Sequence, residues 1–469
     1  MAILSILVII AILLCQVIAM PQQVPLKLLF SGPQDIADTW GKLHFGATSL
    51  ERMEEVPHPG FEVSCCVPRD DGVWDIYGLI LDEEPISIEG QTYNKWRIIH
   101  ATTRDAISFN DIETVYDSPP GEWTFNHAMA YNPEAREFLL LKLNIDRSGF
   151  RYMAFFSKDG RNWTENPGNP LFYDGDAISL FWSPKLHRYV LTSKSFQNTA
   201  QPKHLPDHGG IYRRVLSIRS SVDGRHWEPS DSIDDVWNRD GRWKPLPDEL
   251  LTLPDEQDPP DLEFYSGNGF WYHDRSYMMV LNYAATRLAP GKHGPQMDTE
   301  WWVAREGLDW ERPFREVNAL GNAFPGYARI THNPLLIDGR LLFRFPHHLV
   351  GMKEDRISFV GARTNGEFST LAFEMPEADL YLNAAVPSPD KPLAGNQAYL
   401  MAALLDEAGQ VIPGYEFEKC LIQNADQIDL PLLWEGKSAA ELAGQTVRLR
   451  FYLRSANIYA VTGRVKPAN

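Results

Sequence analysis

Glu263 is the residue of this chain whose surroundings best suit chemistry. It lies in the aromatic, glycine-flanked run Leu262-Glu263-Phe264-Tyr265-Ser266-Gly267-Asn268-Gly269-Phe270. Burial among apolar side chains disfavours the charged form of a carboxyl group and suits it to donate a proton. Asp176 opens a comparable run, Asp176-Ala177-Ile178-Ser179-Leu180-Phe181-Trp182. Two carboxylates facing each other across a channel are what cleavage of a glycosidic bond requires, and their separation decides between inversion and retention. Asn126, His127, Arg329, His332 and Asn333 fall at equivalent places in other runs, and Trp182, Tyr265 and Trp271 are rings on which a sugar could stack. Each also has a plainer reading. Asp176 follows Asp174-Gly175 and fits a turn, the histidines fit structural hydrogen bonding, and the aromatics fit core packing. The pairs His347-His348 and His204/His208 lack a metal-ligand context, so no zinc site is expected.

These runs must be held by a repeated element, and one is present. Ser157-Lys158-Asp159-Gly160-Arg161-Asn162-Trp163 recurs as Ser221-Val222-Asp223-Gly224-Arg225-His226-Trp227. Looser copies are Ala304–Trp310 and Thr103–Phe109, and Arg363–Phe368 is a shortened fifth. An alternating apolar strand precedes each copy, Asp-Gly supplies a tight turn, and the closing aromatic folds back between sheets. Tyr131-Asn132-Pro133 and Trp182-Ser183-Pro184 form a second repeated turn, out of phase with the first. Together they define a four-stranded unit, and repetition at this scale signals a propeller. In a propeller the first strand of each blade lines the central channel, where ligands bind. Glu263, Asp176, Asn126, His127, Arg329 and His332 all belong to such strands.

The chain has 469 residues, enough for more than one domain. Its 14 Trp and 18 Tyr suit a propeller or a sugar-binding surface. The net charge of −18 argues against nucleic acid or an anionic membrane as the main partner. Residues 1–19 read as a signal peptide, an apolar run ending at Val17-Ile18-Ala19, so the protein is expected to be secreted or periplasmic. An uncleaved N-terminal anchor is the competing reading. Cys65, Cys66 and Cys420 give no disulfide framework and suit small buried apolar positions.

In order, residues 20–60 form an arm that packs on the propeller or closes its ring. Residues 61–373 hold five blades beginning near 61, 125, 176, 262 and 328, with polar insertions at 197–210 and 231–260. Residues 374–469 alternate without a further Asp-Gly-aromatic unit and read as a β-sandwich. The expected fold is therefore all-β, a five-bladed β-propeller followed by a C-terminal β-sandwich.

With these hairpins, the Asn-Pro and Ser-Pro turns, and the run from Gly414-Tyr415 through Trp434-Glu435-Gly436 to Arg448-Leu449-Arg450-Phe451, the chain resembles the propeller glycoside hydrolases of the invertase and arabinanase superfamily. The resemblance spans about residues 60 to 464. It implies acids from several blades acting as base or nucleophile, pKa modulator and acid. Here Asn126-His127 stands where the second blade would carry Asp, the Asn-Asp-Pro-Asn motif is absent, and Asp70, Asp71 and Asp75 are the first-blade candidates.

The leading expectation is a secreted glycoside hydrolase acting on a plant or algal polysaccharide or its oligosaccharides. Glu263 and Asp176 are its catalytic carboxylates, and Asn126, His127, Trp182, Tyr265, Arg329 and His332 bind substrate. A carbohydrate is the partner, the protein is a monomer, and no cofactor is expected, a structural calcium ion in the channel being left open. The alternative is a non-catalytic carbohydrate-binding propeller that lacks the full acidic set. A sialidase-like enzyme ranks third, because its box has one more residue between Asp and Gly and no arginine triad is evident.

Overall fold

The computed structural model describes residues 26–81, 86–88, 91–93, 95–119, 124, 126–146, 149–198, 212–233, 246–288, 295–321, 330–387 and 397–464. The signal-peptide segment, Arg329, His204 and His208 lie outside these residues.

The repeated hairpins build five antiparallel blades around one axis. The first blade is Glu62–Pro68, Trp74–Leu81, Trp96–Thr103 and Asn110–Asp117. The second is Asn126–Asn132, Glu137–Asp146, Gly149–Ser157 and Thr164–Glu165; the third is Ser179–Ser183, Arg188–Asn198, Tyr212–Ser221 and Leu251–Thr252. The fourth has Leu262–Tyr272, Arg275–Leu288 and Pro295–Ala304. The fifth begins with the short Leu335–Ile337, then Arg340–Arg344 and His348–Lys353. Five apolar clusters sit between adjacent blades, because each sheet has two faces to bury and finds a neighbour on both sides. Tyr77, Trp96, Met129 and Phe155 fill the junction of blades one and two; Leu216, Phe264, Met278 and Trp302 fill that of blades three and four.

The hairpin loops share one geometry. The Asp159 carboxylate accepts the backbone N–H groups of Arg161 (2.9 Å) and Asn162 (2.7 Å), and the Trp163 indole donates to the Gly160 carbonyl at 3.1 Å. Asp223 accepts from Arg225 (2.8 Å) and His226 (2.9 Å), and Trp227 donates to Gly224 at 3.1 Å. In the degenerate copy Asp105 accepts from Ile107 and Ser108, both at 2.8 Å, and Ala106 takes the left-handed φ of 60° that glycine holds at 160 and 224. Trp163 and Trp227 both pack between blades.

Ring closure differs from what the strand pattern suggests. The sequence places 356–361 in the fifth blade and a shortened hairpin at Arg363–Phe368. Ser358–Thr370 instead runs as one strand between Ile36–Ala47 and Thr446–Arg464 in a nine-stranded sheet. The fourth strand of the fifth blade is Glu51–Glu55, paired with His348–Lys353, so the N-terminal arm closes the ring. Alternation specifies that a strand exists and which face it buries, but not which neighbour it joins.

The nine-stranded sheet wraps its own core of Phe368, Leu382, Leu400, Trp434, Leu449, Phe451 and Ile458. Thr446–Arg464 is its longest strand, pairing with Tyr399–Leu405 along one half and Asp379–Val386 along the other. The described helical pieces are four short 3-10 turns. Cys65, Cys66 and Cys420 are buried and free, and burial pushes the Cys65 thiol up to about 12 and Cys420 to about 11.

Candidate functional site

The leading end of the channel, where the inner strands begin, gathers the charged groups. Asp176 precedes Ser179–Ser183, and its carboxylate pairs with the ammonium of Lys194 on the next strand of the same blade. Lys194 also donates its backbone N–H to the Asp176 carbonyl at 2.9 Å. Gly175 makes this approach possible: a Cβ there would lie 1.6 Å from the Lys194 carbonyl oxygen.

Glu263 comes from blade four and is fully buried. The sequence reading isolates it among apolar groups, but Arg214 of blade three reaches it. The Arg214 Nη1 donates to Glu263 Oε2 at 2.7 Å, and the Arg214 backbone N–H lies 3.3 Å from Oε1. A carboxylate removed from water carries a large desolvation penalty unless it is paired and hydrogen-bonded, and the guanidinium supplies both.

Tyr265 joins the two carboxylate–cation pairs. It is the extra residue of a β-bulge in Leu262–Tyr272, where pairing shifts between Phe264 and Ser266. Bulges re-aim a side chain out of the regular alternation. The Lys194 ammonium lies 4.6 Å from the Tyr265 ring centroid and the Arg214 guanidinium 5.7 Å from it. Tyr283 stacks on Tyr265 at 5.9 Å, and the Arg214 guanidinium lies 5.1 Å from its ring centroid as well. Asp176 and Glu263 are thus brought into one cluster from adjacent blades, through Lys194, Tyr265 and Arg214. The side chains of Asp176 and Arg214 are 16% and 21% exposed, against 0% for Glu263.

Behind this cluster Asp174 is wholly buried and fully partnered. It accepts from Arg219 Nη2 (3.0 Å), Ser193 Oγ (3.0 Å) and Ser217 Oγ (2.6 Å). The Tyr152 hydroxyl donates to the Gly175 carbonyl at 2.7 Å and so braces the turn that presents Asp176. Sequence reasoning missed Asp174, Lys194, Arg214 and Arg219. Lys194 is the one charged residue in the apolar and small-residue run Tyr189–Phe196, a signal the sequence carries, whereas Arg214 shares its strand with Arg213 and Arg219 and is not singled out by it.

The remaining described candidates lie away from this cluster and make contacts between and within blades. His127 hydrogen-bonds through Nε2 to Ser64 Oγ at 2.6 Å, linking blades one and two. Asn126 Oδ1 accepts the His127 backbone N–H at 2.8 Å. His332 is buried and neutral in its bonding: Nε2 accepts from the Arg344 N–H at 3.0 Å and Nδ1 donates to the Asn333 carbonyl at 2.7 Å. Burial also pushes its pKa below the ordinary histidine value. Asn333 binds both backbone groups of Cys66, at 3.0 and 2.8 Å, and seals blade five to blade one. Trp182 packs between blades two and three against Tyr189, at the opposite end of its strand from Asp176. The spaces beside Gly267 and Gly269 are filled by Met278 and Phe181. Asp75 binds Arg69 and His100 rather than facing the Asp176 cluster.

Among the described residues, one trio of potential metal ligands converges: His273, Glu354 and Asp355. The Lys27 ammonium sits among them, 2.8 Å from His273 Nε2, 3.2 Å from Glu354 and 2.9 Å from Asp355. No helix among the described residues is long and apolar enough to cross a membrane.

No protein-family model matches the chain, and no curated protein matches it at a significant level. Solved structures are similar to it at low identity. A glycosyl hydrolase from Bacteroides ovatus is 14% identical with a TM-score of 0.36, over 65% of this chain and 88% of that one. A beta-1,2-mannobiose phosphorylase from Listeria innocua is 12% identical with a TM-score of 0.38, over 66% and 98%. An N-acetylgalactosamine deacetylase from F. plautii is 11% identical with a TM-score of 0.35, over 87% and 94%. Likeness at this level carries no inference of activity; by its own strand pairing the chain is a five-bladed β-propeller with an arm-closed ring and a further sheet.

Proposed function

We propose that the protein is a secreted glycoside hydrolase acting on a plant or algal polysaccharide or its oligosaccharides. The observation that carries the reading is the single cluster in which Asp176 and Glu263, from adjacent blades, share Tyr265 through their two cations. Asp176 is the partly open carboxylate and meets the anomeric carbon or the water that attacks it. Once bound substrate draws Arg214 away, Glu263 takes up a proton from solvent and gives it to the leaving oxygen as the glycosidic bond breaks. Tyr265 lies beside the cations of both pairs. The protein works as a monomer without a cofactor. Reducing-sugar release from a broad glycan panel tests this, with Asp176→Asn and Glu263→Gln expected to be inert on whatever the wild type cleaves. A wild type inert across the panel would sink the proposal.

A second reading, a carbohydrate-binding propeller without turnover, is favoured by one observation: both carboxylates are already held by cations. Binding on a glycan array without product, retained in Asp176→Asn, would decide for it.

A further inference from the structure

The trailing end of the channel, where the inner strands finish, holds a cavity of about 470 Å³ that none of the foregoing chemistry uses. Leu262–Tyr272 runs from Glu263 at one end to Trp271 at the other, and a strand's rise of about 3.3 Å per residue puts them roughly 25 Å apart. Between the two ends, hydrogen bonds tie neighbouring inner segments together. Ser179 Oγ accepts the Gly269 N–H at 3.0 Å, and Asn268 Nδ2 donates to the His332 carbonyl at 3.2 Å. The cavity shares no lining residue with the Asp176–Glu263 cluster.

Its wall is drawn from all five blades and is dominated by rings: Trp74, Tyr131, Phe181, Trp182, Trp271 and Tyr272. The size falls within the range of small-molecule sites. Several polar groups on the wall are committed. The Asn333 amide is spent on both backbone groups of Cys66, the Tyr272 hydroxyl donates to Asp355 at 2.7 Å, and His273 is bonded to Lys27. Trp182 offers the cavity only part of its ring: it is 7% exposed and its indole nitrogen is buried.

We propose that this cavity is a second ligand site, specific for a flat, mainly apolar aromatic molecule. A saccharide suits it poorly, because hydroxyls on almost every carbon would be buried against mainly apolar walls. An aromatic ring replaces weakly held water and stacks on the surrounding rings.

The probe is 2-naphthol, titrated into the full-length protein and followed by quenching of tryptophan fluorescence and by calorimetry. Saturable binding with one site per chain is expected. Ala130→Phe fills the cavity and is expected to weaken binding at least tenfold. Leu336→Asp places a charge at the rim, where Leu336 is 39% exposed, so it leaves the fold intact and is expected to weaken binding similarly. Should Ala130→Phe fail to fold, Leu336→Asp alone decides. No saturable binding, unchanged affinity in a folded rim variant, or displacement of the probe by millimolar monosaccharides would each overturn the proposal.

Discussion

Arg214 and Glu263 belong to different blades, yet the guanidinium Nη1 lies 2.7 Å from a carboxylate that is wholly shut off from water. The pair therefore joins blade three to blade four as well as furnishing the candidate site. Removing one partner of a buried pair leaves an uncompensated charge, which costs about 3–5 kcal/mol. Arg214→Leu should lose stability of that order in denaturant unfolding, and Arg214→Leu with Glu263→Gln should recover much of it. An equal loss in the single and double variants would show that the contact contributes nothing beyond packing.

The hairpin loops predict opposite responses to glycine exchange. Ala106 holds a φ of 60° in the copy where its counterparts carry glycine. Ala106→Gly should therefore stabilise the protein by about 0.5 kcal/mol, strain relief exceeding the extra chain entropy. Gly224→Ala should cost about 1–3 kcal/mol, since φ is positive there and the new methyl would lie 2.7 Å from Leu139. Thermal midpoints of the two variants moving in the same direction would contradict this account.

Asp75 gives a testable acid limb. Burial pulls its pKa upward, but hydrogen bonds from His100 and Arg69 outweigh it and hold the carboxyl at about 2. A carboxylate depressed from the unfolded value of about 3.9 contributes stability above that pH and loses it as pH falls toward the folded value. Unfolding free energy should therefore fall between pH 4 and pH 2 by less in Asp75→Asn than in the wild type, with both compared by denaturant titration.

Ring closure should loosen on the acid side of neutrality. His58 packs against His347 with ring centroids 5.2 Å apart, and His348 Nδ1 lies 2.8 Å from Arg52 on the closing strand Glu51–Glu55. Burial first, then the neighbouring His347 and Arg344 charges, lowers the His58 pKa; burial and Arg52 lower that of His348. Histidines depressed in the fold contribute stability that is complete above their unfolded pKa of about 6.5 and is lost below it. Hydrogen exchange of Glu51–Glu55 should quicken from pH 7.5 to pH 5.5 relative to the rest of the fifth blade, and His58→Asn should blunt the change.

Truncation after residue 373 should yield insoluble protein. Ser358–Thr370 would lose its pairing with Thr446–Arg464, exposing Phe368 and a long apolar strand edge. Arg356 would lose the Asn383 Oδ1 at 2.8 Å and the carboxylate of Asp426. A soluble truncated protein with the wild-type near-UV spectrum would show that the ring stands without the second sheet.

The repeat was legible because its signals are local. Asp159, Asp223 and Asp105 each satisfy N–H groups within three residues of themselves, and the aromatic that closes the loop packs a few residues away. The repeats let five blades be counted from the chain alone, and Glu263 does lie on a channel strand; Asp176, expected on the next one, sits instead in the bend before Ser179–Ser183, as its Asp174-Gly175 neighbours allowed. What pairs with those carboxylates was not legible. Lys194 and Arg214 lie on neighbouring strands whose register only the folded sheet sets, and Tyr265 turns toward both because a bulge breaks the alternation there. The destinations of Glu51–Glu55 and Ser358–Thr370 were hidden for the same reason. An extended segment carries unpaired N–H and C=O groups that any edge can satisfy, and the choice between edges is made by the apolar faces that meet when the ring closes, not by anything written within the segment.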